Sequence, residues 1–218
     1  MTKVLIVLDL DDTLYLERDY VRSGFQAVDK WLKIHRFFDD FFEEAWSLFN
    51  NGERRTIFNM VLERRGLFDA YLVKELIEVY RKHIPLITLE QDAGEFLLNH
   101  HKNELALITD GPADSQWSKI KVLNIEKHIG TIVVTDDLGP TYSKPNIEAF
   151  KIVQGSLPGS ACVYIADNPL KDFFAPAMLG WLPSIRIRRV GSLREDVPTP
   201  DDCIEVQSFR DIGDKLRQ

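Results

Sequence analysis

Val4-Leu5-Ile6-Val7-Leu8-Asp9-Leu10-Asp11-Asp12-Thr13-Leu14-Tyr15 sets the reading of the chain. Five apolar residues in a row read as a strand buried on both faces, as in the middle of a parallel sheet. The run ends in three carboxylates within four positions. A buried strand that delivers acids at its C-terminal end places them where open α/β sheets bind ligands. Side chains alternate along an extended strand, so Asp9 and Asp11 are expected on one side and Leu10 and Asp12 on the other. Two neighbouring carboxylates repel each other, and a divalent cation relieves the repulsion; Mg²⁺ is the hard, oxygen-seeking candidate. One aspartate can attack phosphorus to form an aspartyl-phosphate. The other, two residues on, can protonate the leaving group and later activate water. A lone Asp-x-Asp is more often a solvated strand end, so the rest of the chain decides.

The 218 residues fit one sizeable domain, or one domain carrying a smaller insert. A composition of 44% hydrophobic and 28% charged residues is that of a globular protein. The net charge of -7 argues against a nucleic-acid binder but leaves room for a small anionic substrate at a locally positive site. No apolar run approaches the roughly 20 residues that span a bilayer. Met1-Thr2-Lys3 leads straight into the strand without a signal-peptide pattern. Cys162 and Cys203 have no paired spacing, so neither a disulfide framework nor a zinc site is expected. The expectation is a cytoplasmic protein, a monomer or small homo-oligomer, that engages neither membrane nor nucleic acid.

After Tyr15 the strand pattern stops for about 70 residues. Helical spacing predicts Asp19 to His35, Asp39 to Leu48 with Asp39 or Asp40 as N-cap, Arg55 to Arg65 closed by Gly66, and Asp69 to His83. Four amphipathic helices in succession make a small bundle. The aromatics gathered here, Phe37, Phe38, Phe41, Phe42, Trp46, Phe49, Phe58 and Phe68, are expected in its core.

Beyond Pro85 the pattern alternates. A helix over Ala93 to His101 precedes a strand, Glu104 to Ile108, ending in Thr109-Asp110-Gly111-Pro112. A hydroxyl and free backbone N–H groups at such a strand-to-helix turn can bind an anion. A helix from about Ser115 to Leu123 follows, then a strand, Thr131 to Thr135, then Lys144-Pro145 ahead of a helix starting near Asn146. From there Lys144 can reach back to Asp9 and a phosphate. The strand Cys162 to Ala166 ends in Asp167, with Asp172 five residues on in the first turn of the next helix. Pro183 to Arg189 and Cys203 to Val206 read as further strands, and Ser208 to Arg217 as a last helix. Arg186, Arg188 and Arg189 read as solvated, with Arg189 near the mouth of the site. Strands alternating with helices predict a doubly wound parallel sheet, a Rossmann-like α/β core. Asp9, Asp11, Thr109, Lys144, Asp167 and Asp172 then meet at one sheet edge from across 160 residues of sequence.

This set resembles the haloacid dehalogenase-like (HAD) hydrolase superfamily. Its first motif, Asp-x-Asp-x-Thr/Val, matches Asp9 to Thr13; its Ser or Thr matches Thr109; its Lys matches Lys144; its acidic fourth motif matches Asp167 and Asp172. The resemblance implies a HAD core over 1–16 and 88–218 and a helical cap over 17–87 that closes over the site. It implies Asp9 as nucleophile and Asp11 as general acid and then base. Thr109, Asp110, Gly111 and Lys144 would hold the phosphoryl group. Mg²⁺ would sit on Asp9, Asp167 and the Asp11 backbone carbonyl, with Asp172 assisting. One departure is Asp110, where many relatives have Asn. The resulting expectation is a Mg²⁺-dependent phosphatase of a small phosphorylated metabolite, such as a sugar phosphate or nucleotide. A 2-haloacid dehalogenase or a phosphomutase on the same fold, a receiver-like signalling domain and a non-catalytic phosphate binder are the alternatives. Asp11 and Asp167 favour the phosphatase over the dehalogenase.

Overall fold

The computed structural model describes residues 3–36 and 38–213. Strands β1 (Val4–Leu8), β2 (Leu105–Thr109), β3 (Thr131–Val134), β4 (Ala161–Ala166), β5 (Ile185–Ile187) and β6 (Ile204–Val206) form one parallel sheet in the order β3-β2-β1-β4-β5-β6. Helices α1 (Glu17–Arg36), α2 (Phe41–Asn50), α3 (Ile57–Arg64) and α4 (Ala70–Lys82) follow β1. Helices α5 (Gln91–Leu98), α6 (Ala113–Val122), α7 (Thr135–Leu138), α8 (Glu148–Ser156) and α9 (Phe174–Met178) alternate with the later strands. The chain divides into two compact units: the sheet unit, up to Arg18 and from Ile87 onward, and a helical unit, Asp19–Leu86. No described helix is long and apolar enough to cross a membrane.

The strand order places β1 in the middle, with the chain winding one way through β2 and β3 and the other way through β4 to β6. Ligands of open α/β sheets bind at such a reversal, outside the carboxyl ends of the strands. Register sets the heights of the acids there. Leu8 pairs with Leu107 and with Ile165, so Asp9, Thr109 and Asp167 end their strands within a residue of one level. Leu5, Val7, Ala106, Ile108, Cys162 and Tyr164 pack with Phe150 and Val153 of α8 on one face, which fixes the strands from which the site projects.

Within the helical unit, α1 buries Tyr20, Phe25, Val28 and Leu32, and the Phe25 ring meets those of Phe41, Phe49 and Phe58 edge to face. A Cβ on Gly24 would lie 2.4 Å from the Tyr80 ring, so glycine is what lets α4 approach α1 here. Phe68 is exposed, unlike the core position expected of it, and Phe37 lies outside the described residues. Asp40 does stand at the α2 N-cap, but its backbone is left-handed and its side chain makes no capping bond. Asp69 does cap, accepting from the Tyr71 N–H at 2.7 Å.

Several boundaries differ from the sequence reading. Thr135 opens the one-turn helix α7 instead of extending β3, and α8 begins at Glu148, after a turn that contains a cis Lys144–Pro145 bond. Within the described residues the expected last helix is a single 3₁₀ turn, Phe209–Asp211; its remainder lies outside them. Arg186 of β5 and Arg189 just after it are not solvated, while Arg188 between them is half-buried. Arg186 is 1% exposed and Arg189 is 7% exposed. Arg186 donates to the carbonyls of Asp167, Arg194 and Val197 and to the Thr199 hydroxyl, tying the loop after β5 to the tip of β4. Arg189 donates to the Thr13 carbonyl and pairs with Asp92 of α5. A run of arginines looks solvated because burying one needs carbonyl acceptors that only the folded loops supply.

Burial alone would raise the Asp92 carboxyl, but bonds from Arg189, Ser208 Oγ and the Phe209 N–H outweigh it and hold the group below the usual carboxylate range. A depressed carboxyl contributes stability that is present above its unfolded value, about 3.9, and is lost as pH falls through the folded one. Asp92→Ala, which leaves Arg189 buried without its carboxylate, is expected to cost about 3–5 kcal/mol in denaturant unfolding at pH 7. The gap between variant and parent should narrow below about pH 4. A cost under about 1 kcal/mol at pH 7 contradicts the role assigned to the pair.

Candidate active site

The acids leave β1 through a tight turn. Asp9 N–H still donates to the Ile165 carbonyl, and Thr13 and Leu14 N–H both return to the Leu10 carbonyl. Asp12 adopts a left-handed backbone, φ 56°, which asparagine and aspartate tolerate better than other residues. Its carboxylate accepts from the Glu17 N–H and, across the site, from the Leu193 N–H, so it anchors two loops.

Asp9, Asp167 and Asp172 converge, each offering an oxygen within 4.8 Å of the others, and all three are buried. Lys144 lies beneath them. Its Nζ is 2.7 Å from Asp9 Oδ1, 2.7 Å from Asp172 Oδ1 and 3.0 Å from the Tyr164 hydroxyl. Asp172 sits in the turn before α9, two residues short of the helix, and its other oxygen accepts from the Asn168 N–H at 3.0 Å. Lys144 is thus as deeply paired as a lysine can be. Burial opposes its charge, but Asp172 and Asp9 outweigh that and hold it well above its ordinary value.

Above this layer is a cleft of about 110 Å³, bordered by Asp9, Asp11, Asp12, Glu17, Asp110 and Asp167, with Lys171 and Arg194 on its rim. Six carboxylates face two rim cations, so negative charge is in excess. Desolvation, only partly countered by Lys144, raises Asp9 to about 6. Desolvation with Asp9 and Asp172 beside it pushes Asp167 well up. Burial likewise raises Asp12 to about 6, and burial with Asp11 nearby raises Glu17 to about 7. A buried cluster of hard oxygen donors short of positive charge suits a hard divalent cation. The residues present therefore fit Mg²⁺.

The expected phosphate side is more heavily bonded than the sequence suggests. Thr109 is fully buried, and its hydroxyl donates to Gln116 Oε1 at 2.9 Å. Asp110 accepts from Thr135 Oγ1, the Lys144 N–H and Lys171 Nζ, so its carboxylate ties three segments together at the site edge. Burial raises Asp110, but Lys144 and Lys171 outweigh it and keep it below the ordinary range. That is how an aspartate stands where a neutral amide would otherwise serve. Gly111 has φ 127°, and a Cβ there would lie 2.7 Å from Gln116 Nε2. Glycine is needed both for the backbone turn and for the room that Gln116 takes.

Asp11 points away from Asp9's lysine, toward α6. Oδ1 accepts from Lys119 Nζ at 2.7 Å and from the Tyr15 hydroxyl, and Oδ2 accepts from Gln116 Nε2 at 3.2 Å. Burial would raise this carboxyl; Lys119, with the bonds from Tyr15 and Gln116, outweighs it and holds Asp11 below the usual range. Sequence reasoning passed over Lys119, Gln116, Lys171 and Tyr164. One signal was present: Gln116 and Lys119 are spaced i, i+3 beside Ile120 on the face that α6 buries.

Lys144 is what permits three carboxylates to share this pocket. Lys144→Ala in metal-free protein is expected to cost about 3–5 kcal/mol, read from the denaturant midpoint, because it strands buried carboxylates. A loss under about 1 kcal/mol would show that they do not depend on it.

Residues 6–177 match the sequence profile of the haloacid dehalogenase-like hydrolases. The glyceraldehyde 3-phosphate phosphatase of Methanocaldococcus jannaschii is 26% identical over 195 residues, covering 84% of this chain and 83% of its own. The enzyme of the same name from Methanopyrus kandleri is 26% identical over 241 residues, covering 98% and 97%. Among solved structures, a HAD-hydrolase of Bacillus subtilis bound to magnesium superposes with a TM-score of 0.67 at 16% identity, covering 100% of both chains. With the sheet order, the strand-tip acids and the profile in agreement, the chain belongs to the haloacid dehalogenase-like hydrolase family.

Proposed function

We propose that the protein is a Mg²⁺-dependent phosphatase of a small phosphomonoester, working through an aspartyl-phosphate on Asp9. The observation that carries the reading is the buried trio of Asp9, Asp167 and Asp172 beyond the carboxyl ends of β1 and β4, with Lys144 bridging Asp9 and Asp172. Two curated relatives that carry the name of a sugar-phosphate phosphatase support it.

In this reading one Asp9 oxygen is held by Lys144 and the other attacks phosphorus. The P–O bond to the leaving group breaks with its electron pair going to the leaving oxygen, which takes a proton from Asp11. Asp11 then removes a proton from water, which attacks the aspartyl-phosphate and frees Asp9 and inorganic phosphate. With its carboxyl held below the usual range, Asp11 takes up the proton of the bound phosphate monoanion, whose second pKa is about 6, before passing it to the leaving oxygen, and the proton it later removes from water leaves with the inorganic phosphate. Side chains of Asp9 and Asp167, with the Asp11 carbonyl, would hold Mg²⁺, and Asp172 would assist while orienting Lys144. The ion, when bound, supplies the charge that lets an anionic nucleophile approach an anionic phosphate. Thr109, the Asp110 and Gly111 N–H groups, and Lys144 would receive the phosphoryl oxygens. A small metabolite as partner and a cytoplasmic setting complete the proposal, with neither membrane nor nucleic acid engaged.

The test is phosphate release from p-nitrophenyl phosphate with Mg²⁺ and with EDTA. Metal-dependent turnover is expected, falling at least about 10³-fold in Asp9→Asn. Turnover that survives both EDTA and Asp9→Asn would sink the reading, as would folded, Mg²⁺-loaded protein that releases no phosphate from any ester in a broad metabolite panel.

A further inference from the structure

We infer that Lys119 and Gln116 are positioning residues that aim the Asp11 carboxylate at the leaving oxygen; the inference rests on the phosphatase reading. Both side chains are 3% exposed, one turn apart on the inner face of α6. That face would pack as well, and at less cost, with apolar residues. A lysine is almost never so buried unless paired, because desolvating an ammonium must be offset by a close partner. Here the partner is Asp11 Oδ1 at 2.7 Å.

The two oxygens of Asp11 are held by different donors. Lys119 and Tyr15 fix Oδ1, and Gln116 fixes Oδ2. A carboxylate gripped at both oxygens from one side cannot swing or rotate freely, so its direction is set before substrate arrives. Proton transfer depends steeply on such direction, and an error of about 1 Å can cost about 10² in rate. Asp11 is three residues beyond the strand end, on a turn and 18% exposed at its side chain. β1 itself therefore does not fix its rotamer. The grip comes from α6, 105 and 108 residues away in sequence.

Gln116 has a second task. Its Oε1 accepts from Thr109 while its Nε2 donates to Asp11, so a single amide spans the expected phosphate donor and the expected acid/base. That chain orients the amide without ambiguity: a hydroxyl donates at one end, a carboxylate accepts at the other. Neither Lys119 nor Gln116 belongs to the acidic trio around Lys144.

The experiment is kcat and KM over a series of aryl phosphates with Mg²⁺, from 2,4-dinitrophenyl phosphate, whose leaving group needs no proton, to phenyl phosphate, whose leaving group does. Lys119→Met and Gln116→Leu should each lower kcat on phenyl phosphate about tenfold more than on the dinitrophenyl ester, with KM moving less. Asp11→Asn should show the same skew more strongly, and Lys119→Arg should recover part of the loss. A loss that is uniform across the series, or no loss, overturns the positioning role while wild-type turnover leaves the phosphatase reading standing. Wild type that turns over neither ester overturns both. Thermal unfolding of each variant accompanies the kinetics, and the skew within one variant is independent of how much of it is folded.

Discussion

Crowding of buried negative charge at the carboxyl ends of β1 and β4 is the constraint on which the structure turns. Asp9 and Asp167 are brought together by strand register and Asp172 by the turn before α9, and Asp9 and Asp167 are raised by burial and by neighbouring carboxylates. Lys144 supplies one positive charge directly beneath them. One is not enough for three carboxylates, and Lys119, Lys171 and Arg194 do not fully offset Asp11, Asp12, Glu17 and Asp110 around the same cleft. The shortfall is the physical content of a divalent cation site: it is the deficit, more than the presence of acids, that distinguishes such a pocket from an ion-pair network. The same deficit makes the metal-free site destabilising in itself, so a cation bound there would stabilise the fold through these residues.

Holding that charge in place takes a frame, and two buried arginines, Arg186 in β5 and Arg189 just after it, supply much of it. Arg186 and Arg189 spend their donors on backbone carbonyls and on Asp92, not on the site acids. Arg186 joins the carbonyl of Asp167 to the loop that carries Leu193 and Arg194, and the Leu193 N–H returns to Asp12. The loops after β1, β4 and β5 are thereby fixed to one another around the cleft. Guanidinium suits this work because its planar fork offers five donors and it does not lose its charge.

Much of this was legible in the sequence, for identifiable reasons. The apolar run Val4–Leu8, Leu105–Thr109 and Ala161–Ala166 give strong strand signals because they are buried on both faces, and the acids follow each signal directly. Residues whose role depends on the end of a strand, Asp9, Thr109 and Asp167, could therefore be named from local pattern. Residues whose role depends on tertiary approach could not. Lys119 and Gln116 lie mid-helix, and apart from their i, i+3 spacing beside Ile120 nothing local distinguishes a buried lysine from a solvated one. Arg186 reads as solvated for the same reason, since its acceptors are carbonyls of residues 194 and 197, which a side-chain pattern does not contain. Strand and helix ends slipped by a few residues where turn chemistry competes, as at Thr135, whose hydroxyl bonds to Asp110 and the Thr109 carbonyl.

The two aspartates of the opening motif share one turn yet are held by unlike surroundings. Asp9 faces Lys144 and the acidic trio, where burial and like charge raise it. Asp11 faces α6, where Lys119, Tyr15 and Gln116 lower it. Two identical side chains two residues apart are thus pushed in opposite directions by their surroundings, and a cation held by Asp9 and Asp167 would favour the ionised form of Asp9. The strand supplies only their adjacency. Their difference comes from which element each one touches: the turn before α8 for one, the inner face of α6 for the other. An Asp-x-Asp in a sequence therefore identifies where such chemistry can happen. The groups packed against each carboxylate are what make the two unlike.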